Sequence, residues 1–328
     1  MNWRPFRCSI FSPVFACDAA QTHPELLQLL ELLNSFPYAS PFREMEVTVK
    51  VPASTTNLGP GFDCLGVALQ LWNRTRVRRV NASSRSSFRH PKMVDQAAQA
   101  FFSSSTVPPF EFDWSVQGDI PSARGLGSSV TLRLGLLLGL NELSGRMYSN
   151  SDIKSLCDQL EGHPDNTAAA LSGGFTIVNA QSNVVHRFDV SADLHFVLLI
   201  PDFEVVTSEA RKVLPATYPK SDIVENLANV ALIAAAFATR EYEYLRHAFN
   251  DRLHEPYREP LVPMLRDVVR AGQKAGALGG FLSGSGSTIA CLTTQDPAPV
   301  AEAMQAAAGK TKGKISIVQA DNTGAQIL

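Results

Sequence analysis

An α+β fold in two domains, with mixed and antiparallel sheets, is what this 328-residue chain predicts. Three observations carry the expectation. Helical and strand-like patterns alternate irregularly, where a doubly wound parallel sheet needs repeated strand–helix units. The strand-like runs are short and alternate polar with apolar residues. A loop of glycines and serines, Pro121-Ser122-Ala123-Arg124-Gly125-Leu126-Gly127-Ser128-Ser129, opens a long apolar helical segment.

Residues 1–44 differ from the rest. Residues 3–19 are irregular and 24–34 carry a short leucine-rich helical pattern. The stretch is expected to be an extension outside the core, flexible or an accident of the start, with Met45 as a natural start. A signal or transit peptide is the weaker reading. Residues 46–51 alternate as a strand that Pro52 should close. Residues 53–63 follow as a turn-rich loop holding Asn57 and Asp63. Residues 67–80 are a second strand ending in Arg74, Arg76, Arg78 and Arg79, a cluster that reads as a solvated strand face. Residues 85–92 are a polar loop, 93–102 a helix and 112–117 a strand.

The helix over 129–143 places Gly135 and Gly139 one turn apart, a spacing for close approach to a neighbour. A helix over 151–160 delivers Glu161-Gly-His163-Pro-Asp165-Asn166, followed by a small-residue helix. Strands are expected over 175–179, 194–200, 276–282, 287–293 and 314–318, and helices over 223–240, 242–250 and 299–308. A boundary near 190 divides an N-terminal domain, 45–190, from a C-terminal one, 191–328.

Composition narrows the function. A net charge of −2 gives no general electrostatic case for nucleic acid or an anionic membrane. The apolar run 231–238 is far shorter than the roughly 18 residues that span a bilayer, and Arg133 interrupts the other candidate. Five scattered cysteines without CxxC spacing suit reduced thiols in a cytoplasmic protein. Gly309-Lys310-Thr311 imitates the end of a phosphate-binding P-loop, but Met304 stands where its leading glycine is required. No dinucleotide GxGxxG fingerprint follows a strand.

The glycine–serine loop carries the chemistry. Gly125 and Gly127 admit backbone angles closed to other residues. The helix N-terminus behind them offers unpaired N–H groups and partial positive charge, an anion site to which Ser128 and Ser129 add hydroxyls. A serine N-cap behind a glycine turn is the plain structural alternative. Helix capping is likewise open for Asp63 and Asp165, and a hydrogen-bonded structural role for His163.

Five stretches taken in order decide between these readings: Val51-Pro-Ala-Ser-Thr-Thr-Asn-Leu-Gly-Pro-Gly-Phe-Asp-Cys-Leu-Gly66, Ile120-Pro-Ser-Ala-Arg-Gly-Leu-Gly-Ser-Ser129, Leu160-Glu-Gly-His-Pro-Asp-Asn166, Leu253-His-Glu-Pro-Tyr-Arg258 and Leu282-Ser-Gly-Ser-Gly286. From about residue 47 onward they resemble the GHMP kinase superfamily, and within it the homoserine kinases. The resemblance implies a two-domain fold with the active site in the cleft between domains. It implies ATP as phosphoryl donor, with its phosphates on Pro121, Ser122, Ala123, Arg124, Gly125, Leu126, Gly127, Ser128 and Ser129. Mg²⁺ would be held by Glu161 and Ser129 (or Ser128). Asn57, Asp63, His163, Asn166, Thr207, Arg211 and Arg258 would surround the substrate, L-homoserine, with Asp63 on its ammonium and Arg211 and Arg258 on its carboxylate. Asn57 and Asn166 would orient its hydroxyl.

The reacting centre is assigned to Asn166, Asp165 and Arg211. Asp165 is expected to orient its neighbours rather than act as a strong base, because phosphoryl transfer depends on alignment and charge stabilisation. The implied reaction makes O-phospho-L-homoserine for threonine synthesis, in a cytoplasmic homodimer without nucleic-acid or membrane partners. A GHMP kinase for another small hydroxylated metabolite and a non-catalytic ligand-binding regulator are the alternatives.

Three features depart from the family pattern. Val130-Thr131-Leu132-Arg133 stands where small alanines are usual, and Arg133 is expected to reach solvent. Ser287 replaces a common proline, and the segment 80–93 is abbreviated.

Overall fold

The computed structural model describes residues 45–80, 90–104 and 106–328. The expectations for residues 1–44 and most of the loop 85–92 lie outside them.

Two antiparallel sheets share one core. The first takes the order β10-β1-β2-β4-β5, with β3 also paired to β2. Its strands are β1 (Glu46–Asn57), β2 (Gly61–Arg79), β3 (Phe112–Gly118), β4 (Phe175–Asn179), β5 (Val184–Phe188) and β10 (Gln326–Ile327). The second takes the order β7-β8-β6-β9. It comprises β6 (His195–Pro201), β7 (Gly279–Leu282), β8 (Ile289–Thr293) and β9 (Gly313–Val318). The chain changes sheet between Phe188 and His195, and Gln326–Ile327 returns to pair with β1.

Period-two alternation sorts these strands between cores. On β6, Phe196, Leu198 and Ile200 enter the core shared with Leu65, Val67, Leu69 and Phe175 of the first sheet. Val197 and Leu199 face the opposite way, into a core with Leu265, Val268, Val300 and Met304 of two covering helices. On β1, Val47, Val49 and Val51 face a third core built with helices of the N-terminal half, whereas Ala53 faces the shared one. The expectation that Pro52 ends this strand is corrected here. β1 runs on to Asn57, with a register shift between Pro52 and Ala53. A shift of this kind turns the following side chains to the other face.

Of helices α1 (Lys92–Ser103), α2 (Ser128–Leu143), α3 (Asn150–Glu161) and α4 (Asp165–Ser172), α2 and α4 pack on the first sheet, and α1 and α3 pack against α2. α2 is buried on nearly every side. A Cβ on Gly135 would lie 2.4 Å from Thr75 Oγ1, and one on Gly139 2.5 Å from Val77 Cγ2, so both glycines permit close approach to β2. α3 opens on a capping box between Ser149 and Asp152 and ends at Gly162 with φ +83°. Beyond β6 come α5 (Thr207–Lys212), α6 (Lys220–Thr239), a 3₁₀ turn over Tyr242–His247, α7 (Glu255–Arg258), α8 (Leu265–Lys274) and α9 (Ala298–Ala307).

Of the arginine cluster on β2, Arg76 pairs with Glu46 and Arg78 with Asp113 at 2.7 Å. An 18-residue stretch of the twenty-residue α6 has a mean hydropathy of 1.3, so the helix is long and apolar enough by length and composition to cross a membrane. The run 231–238 is therefore only part of a longer apolar helix. α6 bonds to the rest of the protein through its buried side: Asn226 Nδ2 donates to Pro60 O at 3.0 Å and Asn229 Nδ2 to Asn250 O at 2.8 Å.

Candidate active site

The turn between β1 and β2, the loop before α2, the segment joining α3 to α4, α5, and the turn after β7 meet at one cleft. Lining it are Asn57, Asp63, His163, Asp165, Asn166, Thr207, Arg211 and Arg258, together with Ala123, Arg124, Gly125, Gly127, Ser128, Ser129 and Glu161. Pro121, Ser122 and Leu126 of the predicted phosphate loop do not line it. Leu126 is a core side chain and Ser122 faces solvent. Arg124 reaches the wall behind the loop, where Nε donates to Pro201 O at 2.8 Å and NH1 pairs with Glu204 at 3.3 Å.

The loop is held from both sheets. Ser54 N donates to Leu126 O, Thr288 N to Arg124 O, and Ser283 Oγ to Gly125 O at 2.6 Å. A Cβ on Gly125 would stand 2.1 Å from Ser283 O, so only glycine fits there at φ +72°. Gly127, at φ +69°, is the N-cap of α2, and no side chain caps that helix end. The serine N-cap alternative is thereby set aside: Ser128 is the first helical residue, and the α2 N-terminus faces the cleft with its partial positive charge. Positive φ at Asn57, Leu58, Asp63 and Ala123 as well concentrates strained backbone around the same cleft.

Asp63 and Arg211 form a bidentate ion pair, at 2.9 Å to NH1 and 2.6 Å to NH2. Phe62 lies beneath two cations, its ring centroid 5.2 Å from the guanidinium carbons of both Arg211 and Arg258. Arg258 is buried and donates to backbone carbonyls, to Ala210 O at 3.0 Å and Gly284 O at 3.1 Å. Its guanidinium is thus held inside the fold rather than in a surface salt bridge. Burial and the Arg211 charge bring its pKa down to about 10.

The two asparagines are engaged with protein groups. Asn166 Oδ1 accepts from Ser54 Oγ at 2.8 Å, and its Nδ2 donates to Thr56 Oγ1 at 3.2 Å. Asn57 Nδ2 donates to Gly284 O at 2.9 Å, and its Oδ1 accepts Asp63 N–H at 3.1 Å. Asp165 is buried and accepts from Asn166 N at 2.8 Å, with His163 Nδ1 at 2.9 Å. Burial pushes the Asp165 carboxyl up, but the hydrogen bond and charge of His163 with the Asn166 N–H hold it below its ordinary value. Thr207 Oγ1 lies 3.3 Å from Ser285 Oγ.

Glu161, at the end of α3, accepts from Ser129 Oγ at 2.9 Å and from Arg133 NH1 at 2.5 Å. The expectation that Arg133 reaches solvent is corrected. It sits one helical turn beyond Ser129, on the same face of α2, and finds the carboxylate there. Among the described residues no group of three His, Cys, Asp or Glu could cage a metal ion. One carboxylate and one or two hydroxyls beside a phosphate loop nevertheless fit Mg²⁺, which takes few protein ligands and the oxygens of its nucleotide.

Reading residues singly misses Ser54, Thr56, Phe62 and Gly284, which touch Asn166, Asn57, Arg211 and Arg258. All of them stand inside the quoted motifs, so motif membership was the signal that pointed to them.

Comparison with known proteins places the chain in a family. The sequence profiles described as "GHMP kinases N terminal domain" and "GHMP kinases C terminal" match residues 92–174 and 233–310. The homoserine kinase of Synechococcus sp. is 39% identical over 269 residues, 77% of this chain and 88% of that protein. The homoserine kinase of Clostridium botulinum is 33% identical over 293 residues, 86% and 98% of the two chains. Among solved structures, homoserine kinase from Cytophaga hutchinsonii superposes with TM-score 0.79 at 24% identity, over 87% of this chain and 98% of that one. The mevalonate kinase of Methanococcus jannaschii shares the fold, with TM-score 0.60 at 15% identity over 85% and 99%. Fold and site thus define a GHMP kinase, an ATP-dependent phosphotransferase with two domains and antiparallel sheets. Within that class the chain belongs to the homoserine kinase family.

Proposed function

We propose that this chain transfers the γ-phosphoryl group of ATP to the side-chain hydroxyl of L-homoserine, giving O-phospho-L-homoserine and ADP for threonine synthesis. The observation that carries the substrate is the Asp63–Arg211 pair in the same cleft as the phosphate loop. An amino-acid zwitterion needs one anion and one cation side by side. Asp63 then takes the ammonium and Arg211 the carboxylate, with Arg258 adding positive charge behind Phe62.

The remaining residues act by position. Gly125, Gly127, Ser128 and Ser129 surround the phosphates with N–H groups and hydroxyls. Glu161 and Ser129 would hold Mg²⁺, which supplies charge neutralisation on the phosphate oxygens. Asn57 and Asn166 hold the cleft walls together through Gly284, Ser54 and Thr56, and so fix where the substrate hydroxyl points. Asp165 orients His163 and Asn166. Alignment and charge stabilisation are sufficient for a loose phosphoryl-transfer transition state.

We also place the domain boundary near 190 and read the protein as a cytoplasmic homodimer. The exposed Ile223, Val224 and Leu227 on α6 support self-association. A coupled assay with Mg²⁺ and ATP, comparing L-homoserine with L-serine, L-threonine, mevalonate and galactose, tests the reading. Turnover with L-homoserine alone is expected. Turnover with another acceptor would discard the substrate assignment, and ATP binding without turnover would leave a ligand-binding regulator.

A further inference from the structure

We propose that Arg133 is a built-in counter-ion for Glu161 that a divalent cation must displace, so that this arginine weakens the chain's hold on its metal. The inference rests on reading Glu161 as the metal ligand.

Ser129 and Arg133 reach Glu161 from one face of α2, and each engages a different carboxylate oxygen. The ion pair is largely enclosed, with the Arg133 and Glu161 side chains 14% and 6% exposed. Arg133 Nε is buried without a hydrogen-bond partner. A purely structural arginine uses the donors of its planar fork, whereas this one leaves a donor unpaired while its charge sits on Glu161. The carboxylate is therefore already neutralised before any nucleotide arrives.

A cation approaching Glu161 meets a compensated charge and has to break an enclosed ion pair. Without Arg133, Glu161 is an enclosed carboxylate lacking a positive partner, a costly state that a bound cation relieves. Arg133 is thus a positioning residue that acts through Glu161.

Mn²⁺ binding, followed by electron paramagnetic resonance with a non-hydrolysable ATP analogue present, tests this without turnover. Arg133→Gln is expected to bind Mn²⁺ about tenfold tighter than the parent chain, and Arg133→Lys about as the parent does, because it restores the charge. The thermal midpoint of Arg133→Gln should fall without divalent ions and recover more than the parent's when Mg²⁺ is added. Unchanged or weaker Mn²⁺ binding by a natively folded Arg133→Gln overturns the inference.

Should that variant not fold, phenylglyoxal labelling of the parent chain carries the test. Saturating Mg²⁺ should raise the labelling rate at Arg133 by several-fold, and an unchanged rate overturns the inference. Glu161→Gln separates this from the underlying reading. If it binds Mn²⁺ as tightly as the parent chain, Glu161 is not the ligand, whatever Arg133 does.

Discussion

Arg211 grips Asp63 with both arms of its guanidinium although the two residues stand 148 positions apart. One comes from the start of β2 and the other from α5. Both line the same cleft. On the proposed reading, an amino-acid zwitterion would exchange this one ion pair for two, its ammonium on Asp63 and its carboxylate on Arg211.

Arg211→Lys keeps the charge but loses the fork. The KM for L-homoserine should rise about 10- to 100-fold, the equivalent of losing ~1.5–3 kcal/mol in a hydrogen bond to a charged group. Affinity for a non-hydrolysable ATP analogue, measured by calorimetry, should stay the same. A parallel loss of nucleotide affinity would move Arg211 out of the substrate pocket.

Asp165→Asn should lower kcat by less than about 10⁴-fold if, as proposed, the carboxylate orients His163 and the Asn166 N–H that already occupy it. Single-turnover measurements separate chemistry from release here. A deeper loss in the chemical step would make Asp165 the base.

Gly125→Ala and Gly145→Ala form a matched pair. Both sites have positive φ, +72° and +80°, but only at Gly125 does a Cβ meet backbone, 2.1 Å from Ser283 O, with nothing within 4 Å at Gly145. Gly145→Ala should cost about 1–2 kcal/mol, the backbone penalty alone. Gly125→Ala should cost clearly more and weaken nucleotide binding. Chemical denaturation of the two variants gives the difference, and equal losses would refute the close packing of the phosphate loop on the turn after β7.

Glu255 provides the pH dependence. Burial, and then the Asp251 charge, push its carboxyl from 4.5 up to about 8, while its Oε1 accepts Leu282 N–H at 2.7 Å. The folded state therefore binds more protons than the unfolded state between these values. Stability falls as pH rises through that window, by at most ~1.4 kcal/mol per pH unit. Glu255→Gln imitates the protonated form and keeps the acceptor. It should flatten the decline and be more stable than the parent chain at pH 9, as urea unfolding at pH 5, 7 and 9 will measure. An unchanged slope would assign the pH dependence to another group.

The sequence by itself determined the local elements and the inventory of the site. The glycine–serine loop, the buried α2 behind it and the five ordered motifs were legible because each rests on neighbours in the chain: glycine angles, helical period, capping residues. The bounds of α1, β3 and α9 were readable to within a residue or two for the same reason. β5 was not, because Val184–Phe188 is a largely exposed strand without strict alternation.

Only the tertiary structure decided what each side chain meets. Pro52 looked like a strand end, but pairing with β2 carries β1 past it through a register shift. The partners of Asn57 and Asn166, which are Gly284, Ser54 and Thr56, come from distant parts of the chain and meet them only in the fold. Arg133 looked bound for solvent because its partner lies on another helix, 28 positions away. An enclosed cation is placed by the nearest anion in space, and nothing local in the chain encodes that distance.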